Sequence, residues 1–224
     1  MKRIINVYTI SAVLLIISSI AICQNHRMES LHLDNNNGMS NSSVNVIFQD
    51  SQGIMWFGTW DGLNRYDGHK FEQYLSKTKD STTLPHPVIR DIQEEDSLHL
   101  WITTDGGISR FNKASGKSTR FLLNSPVQQH QGEKTFKCTI DRKGHIVANC
   151  NTGYIYIYSK VSQSFTPLHA PYIPKGDIEF LCFDANDRLW VANNKLLTCF
   201  KLEANRLKVL KKYTLPPHTI SLLR

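Results

Sequence analysis

Acids, histidines and cysteines are the side chains from which chemistry could start in this chain. Glu94, Glu95 and Asp96 stand in a row and could supply the paired carboxylates of a glycosidase. Three adjacent acids in a loop are, however, ordinarily a solvated run. Asp61 beside Gly62, and Asp105 beside Gly106 and Gly107, read as acids in tight turns, where the side chain serves its own backbone. The nine histidines are spread from His26 to His218 with no His-x-x-x-His pair, and no Gly-x-Ser-x-Gly appears. Asp50 to Gly53 and Asp141 to Gly144 begin like calcium loops but lack the further carboxylates at alternating positions. Cys138, Cys150, Cys182 and Cys199 show neither Cys-x-x-Cys nor a Cys/His spacing suited to zinc. The sequence therefore predicts no catalytic residue, no metal site and no cofactor, and function has to come from binding.

The elements that would position a binding site are written four times. Setting Trp56 against Trp101 without gaps makes Thr59/Thr104, Gly62/Gly107 and Arg65/Arg110 identical. The same frame puts Val147 and Trp190 in the Trp place, at spacings of 45, 46 and 43. Six residues before each stand Asp50, Glu95, Asp141 and Asp184. Runs such as "VNVIFQD", "IMWFGT" and "LNRYD" are β-branched and aromatic, and are separated by Asp, Gly and Asn turns, so each copy predicts four short strands. A period in the forties without a long helical pattern is that of a propeller blade. The expected fold is all-β, a propeller of about four four-stranded blades in an incomplete ring. Each blade has two apolar faces and needs neighbours to cover them. The Trp places are expected to pack between blades.

The stretch "GMSNSSVNVIFQDSQGIMWFGTWDGLNRYDG", Gly38 to Gly68, resembles the two-component regulator propeller, the repeat of the periplasmic sensor region of hybrid two-component systems in Bacteroidetes. Met39 stands where that pattern has Leu. The second copy matches moderately, the third and fourth keep the skeleton, and the resemblance covers about residues 26 to 224. It implies an extracytoplasmic sensor of a glycan or oligosaccharide that controls a histidine kinase. The sequence shows no kinase motif and no second membrane-spanning run after residue 22, so the chain reads as an N-terminal fragment of such a sensor, itself no enzyme. The alternatives are a secreted propeller lyase or hydrolase and a protein-binding scaffold.

The propeller fold also implies that the turns between second and third strands share one end of the ring with the links between blades. That end would hold Trp60, Asp61, Asp105, Asn151 and the links with His86 and His130. Trp60 is a large aromatic in a polar turn position, where it could stack on a sugar ring or pack on the adjoining link. Asn41, Ser42 and Ser43 match a glycosylation acceptor but read as the loop before the first strand.

Lys2 and Arg3, an apolar run from Ile4 to Ile22 and the triplet Ala21-Ile22-Cys23 form a secretory signal, which places the chain in the periplasm. Lipidation at Cys23 is the alternative, against which Ile22 stands where that signal wants a small residue; an uncut anchor is another. The layout expected is a signal peptide at 1–23, a closing outer strand and lead-in loop at 24–43, blades at 44–76, 87–124, 132–169 and 176–216, and the first strand of a truncated fifth blade at 219–224. "RMESLHL" would be the closing strand. The remaining blades of a longer parent chain are thus expected partners, with the membrane reached only through an uncut anchor or the parent's helix. Without Lys2 and Arg3 the chain holds 24 basic and 19 acidic residues, scattered along it, which argues against direct nucleic-acid binding. The four cysteines after Cys23 lie in apolar strands and read as buried thiols, with one disulfide as the alternative in an oxidising compartment.

Overall fold

Each repeat folds into a four-stranded antiparallel sheet whose strands neighbour one another in chain order. The computed structural model describes residues 32–121, 136–150, 154–168, 178–193, 195–204 and 206–216. The first blade comprises β1 (Val44–Gln49), β2 (Met55–Thr59), β3 (Gly62–Tyr66) and β4 (Phe71–Tyr74), and the second β5 (Ile89–Asp96), β6 (His99–Thr104), β7 (Gly107–Asn112) and β8 (Ser118–Phe121). The third comprises β9 (Phe136–Ile140), β10 (Ile146–Cys150), β11 (Tyr154–Ser159) and β12 (Ser164–Pro167), and the fourth β13 (Phe180–Phe183), β14 (Arg188–Ala192), β15 (Leu196–Glu203) and β16 (Arg206–Thr214). The first strands β1, β5, β9 and β13 pack side by side in that order. Among the described residues no helix is long and apolar enough to cross a membrane.

In the first, third and fourth blades the acid six residues before the Trp place has two tasks. Asp50 Oδ1 accepts the N–H groups of Gln52 and Ile54, both at 3.0 Å, and closes the turn that Gly53 completes at φ +83°. Its Oδ2 accepts the Trp56 indole N–H at 2.9 Å. Asp184 repeats both tasks, binding the N–H groups of Asn186 and Arg188 and, at 2.8 Å, Trp190 Nε1. In the third blade, where Val147 leaves no indole, His145 Nδ1 meets Asp141 Oδ2 at 2.7 Å instead. In the second blade a bulge near the end of β5 divides the work. Asp96 takes the turn N–H groups of Leu98 and His99, and Glu95 takes Trp101 Nε1 at 3.0 Å.

The core lies in the seams between blades. Trp56, Leu63, Ile92, Leu100 and Phe111 fill the first, and Trp56 meets Phe111 edge to face at 5.7 Å. Trp101 fills the second against Tyr158 and Phe165 at 4.9 and 5.5 Å. Leu181, Leu189, Val191 and Phe200 close the third against Val147 and Ile157. Gly58 follows Trp56 by two residues, and a Cβ there would lie 2.5 Å from Val46 and 2.6 Å from Ile89, so the first seam needs glycine at that point.

Two expectations change. Trp56 and Trp101 are 1% and 0% exposed, but Trp190 is half-buried and stacks on Tyr213 of its own blade, because no other sheet lies over it among the described residues. Glu94, Glu95 and Asp96 are not a solvated loop run; they end β5, where Glu95 is buried against Trp101 and Arg110, and Glu94 accepts Lys113. The four cysteines are in no disulfide, in line with the reading as thiols; three are buried and Cys182 is half-buried. Burial pushes the Cys138 thiol well above its ordinary value. Of the expected closing strand, residues 27–31 lie outside the described residues, as do residues 219–224 of the expected fifth blade.

Candidate functional site

The β2–β3 turn is built by Thr59. Its Oγ1 donates to the Gly62 carbonyl at 2.9 Å and accepts the Asp61 N–H at 3.1 Å, which turns the chain within two residues and leaves Trp60 and Asp61 at the tip. Thr104 builds the β6–β7 turn in the same way, with Gly107 and Gly106 as its partners. Both turns rest on the link between the blades. Gly62 N–H donates to the Pro87 carbonyl at 2.8 Å, while a Cβ on Gly106 would lie 2.9 Å from His86 Cβ and 3.0 Å from the Pro85 carbonyl oxygen. Residues 85–87 thus lie against the second-to-third-strand turns of both blades.

Trp60 and Asp105 are joined by a residue that the sequence did not single out. Arg90, at the start of β5, donates from Nε to Asp105 Oδ1 at 2.6 Å and from Nη2 to Oδ2 at 2.7 Å. The guanidinium carbon stands 5.6 Å from the centre of the Trp60 ring. A bidentate Arg–carboxylate pair has fixed geometry, so it holds the guanidinium beside the indole. Trp60 itself is 53% exposed. Asp61 is exposed at the same tip and is engaged through its backbone N–H. In the link, the Val88 N–H donates to His86 Nδ1 at 3.2 Å. Asn151 and His130 lie outside the described residues. A residue beginning the first strand of the next blade, one after Ile89, was the available signal for Arg90, but its reach across the seam depends on how blades stack.

The opposite end holds a cavity of about 280 Å³ between the first two blades, lined by Asp50, Trp56, Arg65, Glu72, Tyr74 and Lys113 among others. Its charges are spent on one another. Lys113 Nζ, almost wholly buried, donates to Asp50 Oδ2 at 3.0 Å and to Glu94 Oε1 at 2.8 Å, and so ties blade 2 to blade 1. Burial alone would raise the Asp50 pKa, but bonds from Trp56, Lys113 and two backbone N–H groups hold it below the usual carboxylate range. Burial, reinforced by Glu72, pushes the Tyr74 hydroxyl up to about 12. In the second blade Glu95, Asp96 and His99 bring ligand atoms within 4.8 Å of one another. Arg110 Nε sits 2.6 Å from Glu95 Oε2 and Lys160 Nζ 3.6 Å from Oε1, so cationic side chains already neutralise that carboxylate.

Residues 38–61 match the family model described as two component regulator propeller. Over 47 residues the chain is 51% identical to Histidine kinase P4 of Formosa agariphila, a match that takes in 21% of this chain and 3% of the kinase. The extracellular domain of a hybrid two component system from B. thetaiotaomicron has the same fold, with a TM-score of 0.58 at 19% identity over 85% of this chain and 23% of that one. The Cps50 (Swd1) β-propeller domain of Myceliophteria thermophila gives 0.57 at 10% identity, over 78% of this chain and 60% of that domain. The chain is a β-propeller whose residues 38–61 match the two-component regulator repeat, and it spans about a quarter of the bacterial extracellular domain whose fold it shares.

Proposed function

We propose that this two-component regulator propeller is part of the extracytoplasmic sensor region of a hybrid regulator, and that it binds an oligosaccharide at the end where Trp60 lies. Occupancy there controls a histidine kinase carried by the longer protein, residues 1–23 direct export, and the chain itself performs no catalysis. The observation that carries this proposal is the setting of Trp60. A half-exposed indole is held at a turn tip by an arginine that is itself clamped to the next blade. The C–H face of a sugar packs well on the electron-rich face of an aromatic ring, and Asp61 beside it can accept sugar hydroxyl protons. The kinase relative and the extracellular sensor domain support the same role.

The test is calorimetric titration of the purified chain with a panel of plant, algal and host oligosaccharides, followed in parallel by tryptophan fluorescence. One glycan class is expected to bind, and Trp60→Ala is expected to lose that binding with an unchanged melting temperature. Undiminished binding by Trp60→Ala would place the ligand elsewhere. Cleavage of any of the sugars would replace the sensor by a hydrolase or lyase.

A further inference from the structure

The chain's excess positive charge is gathered on one hairpin. Residues 195–214, which contain β15 and β16, hold Lys195, Lys201, Arg206, Lys208, Lys211 and Lys212 against a single acid, Glu203. Lys2 and Arg3 apart, the rest of the chain carries 18 basic and 18 acidic residues. Pairing β15 with β16 brings Lys201, Arg206, Lys208 and Lys211 onto one face of the hairpin, while Lys212, opposite Thr198, lies on the other.

The register crowds them further. Lys201 lies directly opposite Lys208, a like-charge pair that costs stability in an antiparallel ladder. Glu203, at 3.0 Å from Lys201 Nζ, offsets one charge of the group. Lys211 pairs with Cys199 and Tyr213 with Leu197, so Lys201, Lys208, Lys211 and Tyr213 share the face that carries Trp190. β16 is nine residues long, roughly 30 Å of strand, and is exposed along most of its length. Lysines can simply guard a sheet edge against aggregation. The other outer strands, β4, β8 and β12, need no such device: each has four residues, and together they hold one basic residue, Arg120.

We propose that the β15–β16 hairpin is a docking edge for a linear acidic polysaccharide, whose repeated sulfate or carboxylate groups pair with these lysines. Five of the six cations are lysines, point charges that pair with the single oxygens of sulfate, carboxylate or phosphate alike, so the charge selects a polyanion and the rest of the surface selects among polyanions. Trp190 and Tyr213 stack on each other, with Arg188 and Lys211 over their rings, which leaves no open aromatic platform for nucleic-acid bases. Leu210 adds too little apolar surface to anchor the hairpin in a bilayer. This edge belongs to the fourth blade and does not rest on the role given to Trp60.

The test measures binding of the full chain to immobilised heparin, neutral dextran, duplex DNA and vesicles containing anionic lipid, at rising salt. Salt-sensitive binding to heparin, none to dextran, and weaker binding to DNA and vesicles are expected. The triple variant Arg206→Glu, Lys208→Glu, Lys211→Glu should bind heparin about tenfold more weakly or worse. Lys70→Glu, Lys79→Glu, Lys117→Glu, with the same net charge, should bind like the parent chain. Equal losses in the two triple variants would reduce the effect to net charge and overturn the proposal. So would failure to bind heparin, which leaves the lysines as edge protection, and so would tighter binding to DNA or to vesicles.

Discussion

Asp91 lies on β5 with its carboxyl pushed up by burial, a push that bonds from Gln93 and the Ile92 N–H and the charge of Lys137 only partly offset. A group whose folded pKa is raised holds its proton more tightly in the native state than in the unfolded chain. Native stability therefore falls as pH rises from the ordinary carboxylate value of about 3.9 through the raised one. Asp91→Asn keeps the shape and removes the charge. It should raise the melting temperature at pH 7 by about 2–4 °C, the equivalent of roughly 1 kcal/mol in a chain of this size. The gain should shrink as the pH is lowered and vanish below about pH 4. A gain that persists undiminished in acid would show that the carboxylate charge was not its source.

At the scale of the element, Lys113 shows how one blade is fastened to the next. It follows β7 directly and reaches back to Asp50, the acid that clasps Trp56; Lys160, directly after β11, reaches back in the same way to Glu95, which clasps Trp101. Lys113→Met leaves the buried Asp50 without its counter-charge and should cost roughly 2–3 kcal/mol in urea unfolding at pH 7. Because the Asp50 pKa is depressed, the stability it contributes is present above the ordinary carboxylate pKa and is lost as pH falls through the folded value. Parent and variant should therefore converge in strong acid, and a difference independent of pH would refute the ion-pair account. The sequence showed half of this device. The acid six residues before each Trp was visible, because turn and indole belong to the same blade and recur at fixed spacing. The lysine that answers it, like the Arg90 that joins Trp60 to Asp105, was not legible, since its partner lies one blade away and local periodicity carries no record of the seam. The basic stretch 195–214 was legible in the sequence, but its register was not: Lys201 and Lys208 are seven residues apart in the chain and directly opposite in the sheet.

For the molecule as a whole, stability resides in seams between successive blades, so it should decline from the middle blades outward. The second and third blades contribute buried side chains to seams on both sides, through Leu100 and Trp101 in one and Val147 and Ala148 in the other. The far face of the first blade carries the Phe57, Tyr66 and Phe71 cluster, with Ile47 59% exposed. That of the fourth carries the half-buried Trp190. Local opening requires the loss of one seam for an outer blade and two for an inner one. Native-state hydrogen exchange should then show the amides of β6 and β10 protected longest, those of β14 and β2 less, and those of the exposed edge strand β16 least. A graded set of opening free energies is expected, with Lys113→Met lowering protection in the first blade more than in the fourth. Exchange of all strands with a single free energy, shifted equally by that variant, would mean that the four blades open as one cooperative unit and that the seams are not separable in energy.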